Sequence, residues 1–123
     1  MSNNVAVWSC CLTEHHGQNI VTREVLSTIE KYTNVQKILY KTGLIGIITI
    51  IPNYIRFFWF ARQSEVIYLV ISRSPIGFLR DLPVLIFLLC LTKRVIVHIH
   101  GSDIIQLLRN YIFGKLARNL LRQ

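Results

Sequence analysis

Polar residues that could take part in chemistry follow two apolar segments of the chain. Val66–Ile71 runs into a segment that contains Arg73, and Arg94–His100 runs into Gly101–Asp103. Unbroken runs rich in β-branched residues are typical of strands buried on both faces of a parallel sheet. In open α/β sheets, ligands bind outside the carboxyl ends of the strands. The sequence therefore predicts a ligand crevice where these two segments end.

His98 and His100 are two residues apart on the second segment, so they share one face of the predicted strand. His100 lies at the strand exit and is the candidate catalytic residue, whereas His98 is interpreted as a buried histidine satisfied by hydrogen bonds. Gly101 and Asp103 are candidate substrate-binding residues, although helix capping alone would explain Asp103. A zinc site would need a third ligand and a supporting carboxylate, and no metal site is predicted.

Two further groups of residues are candidates for substrate binding. Gly17 and Gln18 lie between a predicted strand and a helix N-terminus, where free backbone N–H groups suit an anion or a sugar hydroxyl. An equal alternative is that Gly17 only makes the turn. Arg73 is the arginine nearest a strand end and can hold a phosphate or carboxylate. The alternative for that segment is a surface Arg80–Asp81 pair beside a Pro/Gly turn.

The elements that would position these residues alternate along the chain. One α/β domain, residues 1–123, is predicted, with a Rossmann-like parallel sheet in the order 3-2-1-4, helices on both faces and right-handed crossovers. The predicted strands are Val5–Cys10, Val35–Tyr40, Glu65–Ile71 and Lys93–His100. The predicted helices are Ile20–Tyr32 with Asn19 as N-cap, Leu44–Arg62 bent near Pro52, Leu82–Thr92, Asp103–Arg109 and Tyr111–Arg122.

Composition narrows the classes of partner. Apolar residues make up 52% of the chain and charged residues only 16%, against about 25% in typical soluble domains. The net charge of +8 comes from scattered Lys and Arg residues, and no basic run of the kind that binds nucleic acid occurs. A diffuse basic surface suits phosphorylated ligands or an anionic membrane.

Cysteine usage and the N-terminus bear on location. Three cysteines, two of them adjacent, indicate a reducing compartment, and the first residues do not form a signal peptide. A cytoplasmic protein is expected, peripheral on the inner face of the membrane if Phe57–Phe60, flanked by Arg56 and Arg62, touch lipid. The alternative is that these aromatic residues pack under the sheet. A membrane-spanning helix is not favoured, because the segment contains Pro52 and Arg56.

Several motifs occur in a familiar order: Asn19–Thr22, Tyr68–Ser74, Gly77–Asp81 and Val97–Asp103. This order resembles the N-terminal half of GT-B glycosyltransferases of the retaining family 4 type, also described as glycosyl transferases group 1. The resemblance runs from about Val5 to Asp103 and beyond, and the strand that ends in His-Gly-Ser-Asp is its most specific part. The family often has two adjacent glycines where this chain has His16 and Gly17.

The resemblance implies the acceptor-binding part of an enzyme that transfers a sugar from a nucleotide-sugar donor to a glycan or lipid-linked acceptor. It implies that His100 lines the cleft near the reacting centre and that Gly17 lies near the donor phosphates or the transferred sugar. No cofactor is implied, since the nucleotide-sugar is a substrate. The donor-binding domain with its paired glutamates is not within these residues, so the chain alone is expected to be inactive. Alternatives are a non-enzymatic membrane-associated or partner-binding module, or a Rossmann-like domain of unrelated activity.

Overall fold

A computed structural model describes residues 4–10, 17–72 and 74–99, together with residues 109, 115 and 119. Four strands alternate with three helices in this part of the chain. In order they are β1 (Asn4–Cys10), α1 (Gly17–Glu30), β2 (Asn34–Tyr40), α2 (Gly43–Gln63), β3 (Val66–Ile71), α3 (Pro75–Leu89) and β4 (Arg94–Ile99). The helices expected after Asp103 lie outside the described ranges.

The four strands form one sheet in which every neighbouring pair is parallel, in the order β2-β1-β3-β4. The predicted α/β class with a Rossmann-like parallel sheet is therefore confirmed. The predicted order 3-2-1-4 is wrong, because β3 lies between β1 and β4 and not beyond β2. Val5 of β1 pairs with Val35 on one side and with Val66 on the other.

The polarity of the two exchanged strands explains this order. β3 is apolar throughout, and five of its six residues are buried, so it needs a strand on each side and a helix layer on each face. β2 carries Gln36 and Lys37, and Lys37 is exposed and forms an ion pair with Glu30. A polar strand of this kind is tolerated at the edge of a sheet, where a charged side chain also discourages pairing with other chains.

Helices cover both faces of the sheet, as predicted. α1 packs through Leu26 against the face that contains Val7 and Val70, whereas α2 and α3 pack against the opposite face. α1 connects β1 to β2 on one side of β1. α2 then connects β2 to β3 on the other side of β1, and α3 continues in the same direction to β4. Because the helices change face when the direction changes, all three crossovers have the same hand.

Trp8 in the central strand β1 is the centre of the larger core and is fully buried. Its ring contacts those of Tyr40, Tyr54 and Phe57, with centroids 5.2 to 5.5 Å apart. Such offset and edge-on contacts between aromatic rings add to the free energy gained by burial alone. The aromatic cluster thereby fastens β2 and α2 to the middle of the sheet.

The indole N–H of Trp8 has a buried partner on α3. It donates to Oδ1 of Asp81 at 3.0 Å, and the other carboxylate oxygen accepts the backbone N–H of Ser72 at 2.8 Å. The Asp81 side chain is fully buried, and this desolvation raises its pKa above the usual range, against the opposing effects of Arg80, Trp8 and Ser72. The alternative of a surface Arg80–Asp81 face is therefore wrong, because the two residues do form an ion pair but Asp81 is buried.

Two helix starts differ from the sequence-based prediction. α1 begins at Gly17, so Asn19 lies inside its first turn and is not an N-cap. α3 begins at Pro75, well before the predicted Leu82. Ser74 is its N-cap, since the Ser74 hydroxyl accepts the N–H of Gly77 at 3.0 Å. Proline in the first turn after a serine cap is a known signature of a helix start.

Replacing Asp81 with Asn should change how stability depends on pH. Asp81 binds its proton more tightly in the folded protein than in the unfolded chain, where its pKa is about 3.9. The contribution of this group to the free energy of unfolding therefore falls as the pH rises from there through the raised folded-state pKa. We expect the difference in unfolding free energy, wild type minus Asp81→Asn, to fall over this range and then level off, as measured by urea denaturation.

Trp8→Phe is the matched variant for this experiment. It keeps the carboxyl group and removes one hydrogen bond that stabilises the charged form. The difference in unfolding free energy, Trp8→Phe minus Asp81→Asn, should therefore show the same decline and extend it to higher pH. A difference that stays constant, or that rises with pH, would contradict the burial of an ionisable carboxyl at this position.

Candidate functional site

A crevice of about 800 Å³ lies at the carboxyl edge of the sheet. The ends of β1, β2 and β3 form its floor, and the first turns of the three helices form its walls. The residues that line it are Ser9, Cys10, Asn19, Thr22, Tyr40, Lys41, Thr42, Gly43, Gly46, Ile47, Ile50, Tyr54, Val70, Ile71, Ser72, Ser74, Ile76, Gly77, Leu79 and Arg80. Its volume falls within the range of small-molecule sites.

The strand order explains why the crevice opens here. α1 leaves the end of β1 toward one face of the sheet, and α3 leaves the end of the neighbouring β3 toward the other face. The two helix N-termini therefore diverge between β1 and β3. This is the switch point at which open α/β sheets bind their ligands.

The N-terminus of α2 forms part of the crevice wall. Thr42 occupies its N-cap position without a side-chain capping hydrogen bond, so no side-chain cap satisfies the first N–H groups of the helix. Gly43 follows with φ of +74°, a backbone conformation that favours glycine. An anion placed against this turn would meet backbone N–H donors and the positive end of the helix dipole.

Arg80 of α3 also lines the crevice, and its guanidinium is held in a fixed position. Its guanidinium carbon lies 3.8 Å from the centre of the Tyr40 ring, and its Nε lies 3.4 Å from Oδ1 of Asp81. The Tyr54 hydroxyl donates to the backbone carbonyl of Arg80 at 2.5 Å. These contacts pre-organise the guanidinium, the group best suited to gripping phosphate or carboxylate.

The crevice is positive in character. Lys41 and Arg80 are among its lining residues, and none of the described residues that line it is acidic. Asp81 lies behind the wall, where it is fully buried. Burial, reinforced by the nearby Asp81 carboxylate, raises the pKa of Tyr40, and burial also raises that of Tyr54, so both phenols stay neutral hydrogen-bonding groups. The site therefore suits an anionic ligand.

Two glycines allow the crevice walls to approach closely. A methyl group at Gly77 would overlap the hydroxyl of Ser72 and crowd that of Ser74. A methyl group at Gly46 would overlap the backbone carbonyl of Lys41. Both positions therefore need a residue without a side chain for the strand ends and helices to meet as they do.

One side of the crevice is apolar and continues onto the protein surface. Ile47 of α2 and Ile76 and Leu79 of α3 line the crevice, yet all three are exposed to solvent. A ligand that carries both a charged group and a hydrocarbon group would therefore find complementary surfaces side by side.

The residues singled out from the sequence are only partly described. Gly17 and Gln18 are the first residues of α1, directly before the lining residues Asn19 and Thr22. Arg73, His100, Gly101 and Asp103 lie outside the described residues, although the strands that precede them, β3 and β4, end at this edge of the sheet.

His98 is hydrogen-bonded, as expected, but it is less buried than expected. The Tyr68 hydroxyl and Nδ1 of His98 form a hydrogen bond between neighbouring strands, so the interpretation as a hydrogen-bonded histidine is confirmed. Its side chain is only partly buried, because β4 lies at one side of the described sheet. Within the described part of the chain, no three His, Cys, Asp or Glu residues are grouped as metal ligands would be.

The main groups of the crevice that sequence reasoning did not select are Lys41, Thr42 and Arg80. In the sequence, Lys41–Gly43 merely follows the predicted strand Val35–Tyr40, and Arg80 is further than Arg73 from the end of β3. A usable signal was present, since Ser74-Pro75 marks a helix start that brings Arg80 back over the sheet within two turns.

The comparisons with known proteins add no relative. A scan against protein-family models, a search of curated proteins and a search of solved structures each find no match to this chain. Among the described helices, α2 alone is long and apolar enough to cross a membrane.

Replacing Gly77 with Ala should lower stability and deform the crevice. The added methyl group must displace Ser72 and the capping Ser74, at a cost of about 1–3 kcal/mol in unfolding free energy. Gly43→Asn is the matched control, because the space around Gly43 is open and Asn tolerates a positive φ better than most residues. Urea denaturation of both variants checks this, and a Gly77→Ala variant as stable as the wild type would show that the close approach at Gly77 is unimportant.

Proposed function

We propose that this domain is the acceptor-binding half of a glycosyltransferase with the GT-B arrangement, and that its crevice holds a phosphate-bearing glycan or lipid-linked acceptor. The observation that carries the proposal is the positive crevice at the carboxyl edge of an all-parallel sheet. The motif order from Asn19 to Asp103, which resembles that of family 4 glycosyltransferases, supplies the reaction class.

The acceptor phosphate is assigned to the space between α2 and α3. Lys41 and the uncapped first turn of α2 line the crevice together with Arg80 of α3. A charged side chain, a fixed guanidinium and backbone N–H donors together form the usual elements of a phosphate site. Charge-assisted hydrogen bonds of this kind are the strongest that a neutral-pH site offers.

The sugar of the acceptor is assigned to the polar and aromatic part of the crevice. Ser72 and Thr42 present hydroxyl groups, and Tyr40 and Tyr54 present aromatic surface and neutral phenols. Sugars are bound by this combination, because their hydroxyls need partners while their C–H faces pack on apolar surface. The exposed apolar side formed by Ile47, Ile76 and Leu79 suits the hydrocarbon part of a lipid-linked acceptor.

The reacting centre is assigned to the segment that follows β4. The chain leaves the sheet at Ile99, at the same edge as the crevice, and continues in sequence into His100–Asp103. The family resemblance gives His100 a place near the bond that forms. In this proposal the donor nucleotide-sugar is held mainly by a second domain, and transfer requires both halves because donor and acceptor must be oriented together.

Binding of small sugar phosphates tests the proposal. Glucose 1-phosphate, glucose and inorganic phosphate are titrated into the protein and followed by amide chemical shifts. We expect saturable binding of glucose 1-phosphate that exceeds binding of either part, with shifts at Thr42, Gly43 and Ser72. Lys41→Ala should weaken it about tenfold, since a hydrogen bond to a charged group contributes about 1.5 kcal/mol or more.

Lys31→Ala is the matched control, because Lys31 is an exposed lysine in the turn after α1 and does not line the crevice. It should leave binding unchanged. Equal affinity for inorganic phosphate and glucose 1-phosphate would show that the crevice recognises the phosphate but not the sugar. Absence of binding would favour a non-enzymatic module. Sugar transfer from a nucleotide-sugar by this chain alone would overturn the division into two halves.

A further inference from the structure

The outward side of α2 carries a continuous apolar stripe. Leu44, Ile48, Ile51, Ile55 and Trp59 recur three or four residues apart, the spacing that places side chains on one helical face. Each of them is at least 60% exposed. We refer to these five residues as the α2 stripe. Exposed apolar surface of this extent marks an interaction site in soluble proteins.

This surface differs from the aromatic segment that the sequence suggested. Phe57 is fully buried in the core, and Phe58 stacks on Phe87 of α3 with ring centroids 4.2 Å apart. Of the four aromatic residues from Phe57 to Phe60, only Trp59 is exposed. The face available to a partner is therefore mainly aliphatic, with one tryptophan.

The charges that α2 itself carries have a single sign. α2 contains no acidic residue, and the sole carboxylate of α3, Asp81, is buried. Arg62 follows Trp59 by three residues and so continues the stripe, while Arg56 and Lys41 are exposed at its flank and at its start. An aliphatic face on a helix whose only charged residues are cations is complementary to an anionic lipid surface, although the exposed Glu65 follows the helix by two residues.

We propose that the α2 stripe docks this domain onto an anionic phospholipid surface, with α2 lying in the plane of the interface. Leu44, Ile48, Ile51 and Ile55 enter the acyl boundary and Trp59 sits at headgroup level, where tryptophan is favoured. Arg56 and Arg62 contact the lipid phosphates. This inference stands independently of the function proposed for the crevice.

Two other occupants of the stripe fit the charges and packing less well. A second copy of the chain would bring the same cations without acidic partners, and each copy carries a net charge of +8. A membrane-spanning α2 would have to withdraw Phe57 and Ala61 from the core, where both are fully buried. Docking from one side leaves that packing intact.

The position of the crevice agrees with this docking. Ile47 lines the crevice and is exposed beside the stripe, three residues after Leu44 and four before Ile51, so the apolar side of the crevice borders the proposed lipid surface there. A ligand anchored in the lipid would reach the crevice without crossing open water.

Vesicle binding tests the proposal, with Trp59 as the reporter. The chain is mixed with vesicles of phosphatidylcholine containing phosphatidylglycerol, and with vesicles of phosphatidylcholine alone. We expect binding to the anionic vesicles, reversed by high salt, with a blue shift of the tryptophan fluorescence. Trp8, the other tryptophan, is already buried, so Trp59→Phe should abolish the shift.

Variants on the stripe make the test specific. Ile48→Glu combined with Ile55→Glu should weaken vesicle binding at least tenfold, because each removes buried hydrocarbon and adds a negative charge. Arg62→Gln should weaken it about fivefold at low salt. Val21→Glu is the matched control, since Val21 is an exposed residue of α1 on the other face of the sheet. Circular dichroism checks that every variant is folded.

Several results would overturn the proposal. Equal binding to neutral vesicles, or normal binding by the Ile48→Glu, Ile55→Glu variant, would exclude docking through this stripe. Resistance to alkaline carbonate extraction would indicate a spanning helix. A wild-type dimer that this double variant converts to a monomer would identify the stripe as a protein interface. The double variant leaves Lys41 and Arg80 in place. Glucose 1-phosphate binding by this variant therefore tests the function proposed for the crevice separately from lipid docking.

Discussion

The buried hydrogen bonds of Asp81 are the interaction on which the rest of the structure depends. The carboxylate joins the indole of Trp8 in the central strand to the backbone of Ser72 after β3, and it lies on α3. A buried charge is costly unless it is paired and hydrogen-bonded, so these partners have to be met together. Meeting them fixes the rotation of α3, which places the neighbouring Arg80 over the Tyr40 ring. The shape and charge of the crevice thus follow from a contact made beneath its wall.

The strands were predictable to within one residue at each end, because unbroken β-branched runs leave few alternatives. The order of the strands was not obtained, although Gln36 and Lys37 in β2 already favoured an edge position. The start of α3 was missed where Ser74-Pro75 marked it. The burial of Asp81 had no local signal at all, since its main partner, Trp8, is far away in sequence. Gly17 and Gln18 are predicted in the loop before a helix, whereas α1 already begins at Gly17. Arg80 has a usable signal in Ser74-Pro75, but Lys41 can be recognised only once the sheet is assembled.

α2 helps to explain why the chain has so few charged and so many apolar residues for its fold. A helix that is apolar around most of its circumference is ordinarily buried on all sides. Here one side, with Phe57 and Ala61, packs on the sheet, and the other side remains exposed. The low share of charged residues is therefore not explained by the core alone. The lipid surface proposed above would account for this exposed side, and the cations on α2 are compatible with it.

The position of β3 also has a consequence for how the chain acquires its structure. β1 pairs with β3, and the whole of α1, β2 and α2 lies between these two strands in the sequence. The pairing therefore forms only after a long loop has closed, which slows folding in parallel sheets. Until β3 arrives, one edge of β1 and the apolar residues of α2 are exposed together on the nascent chain. Newly made protein is therefore most prone to aggregate during synthesis, before the pairing of β1 with β3 has formed.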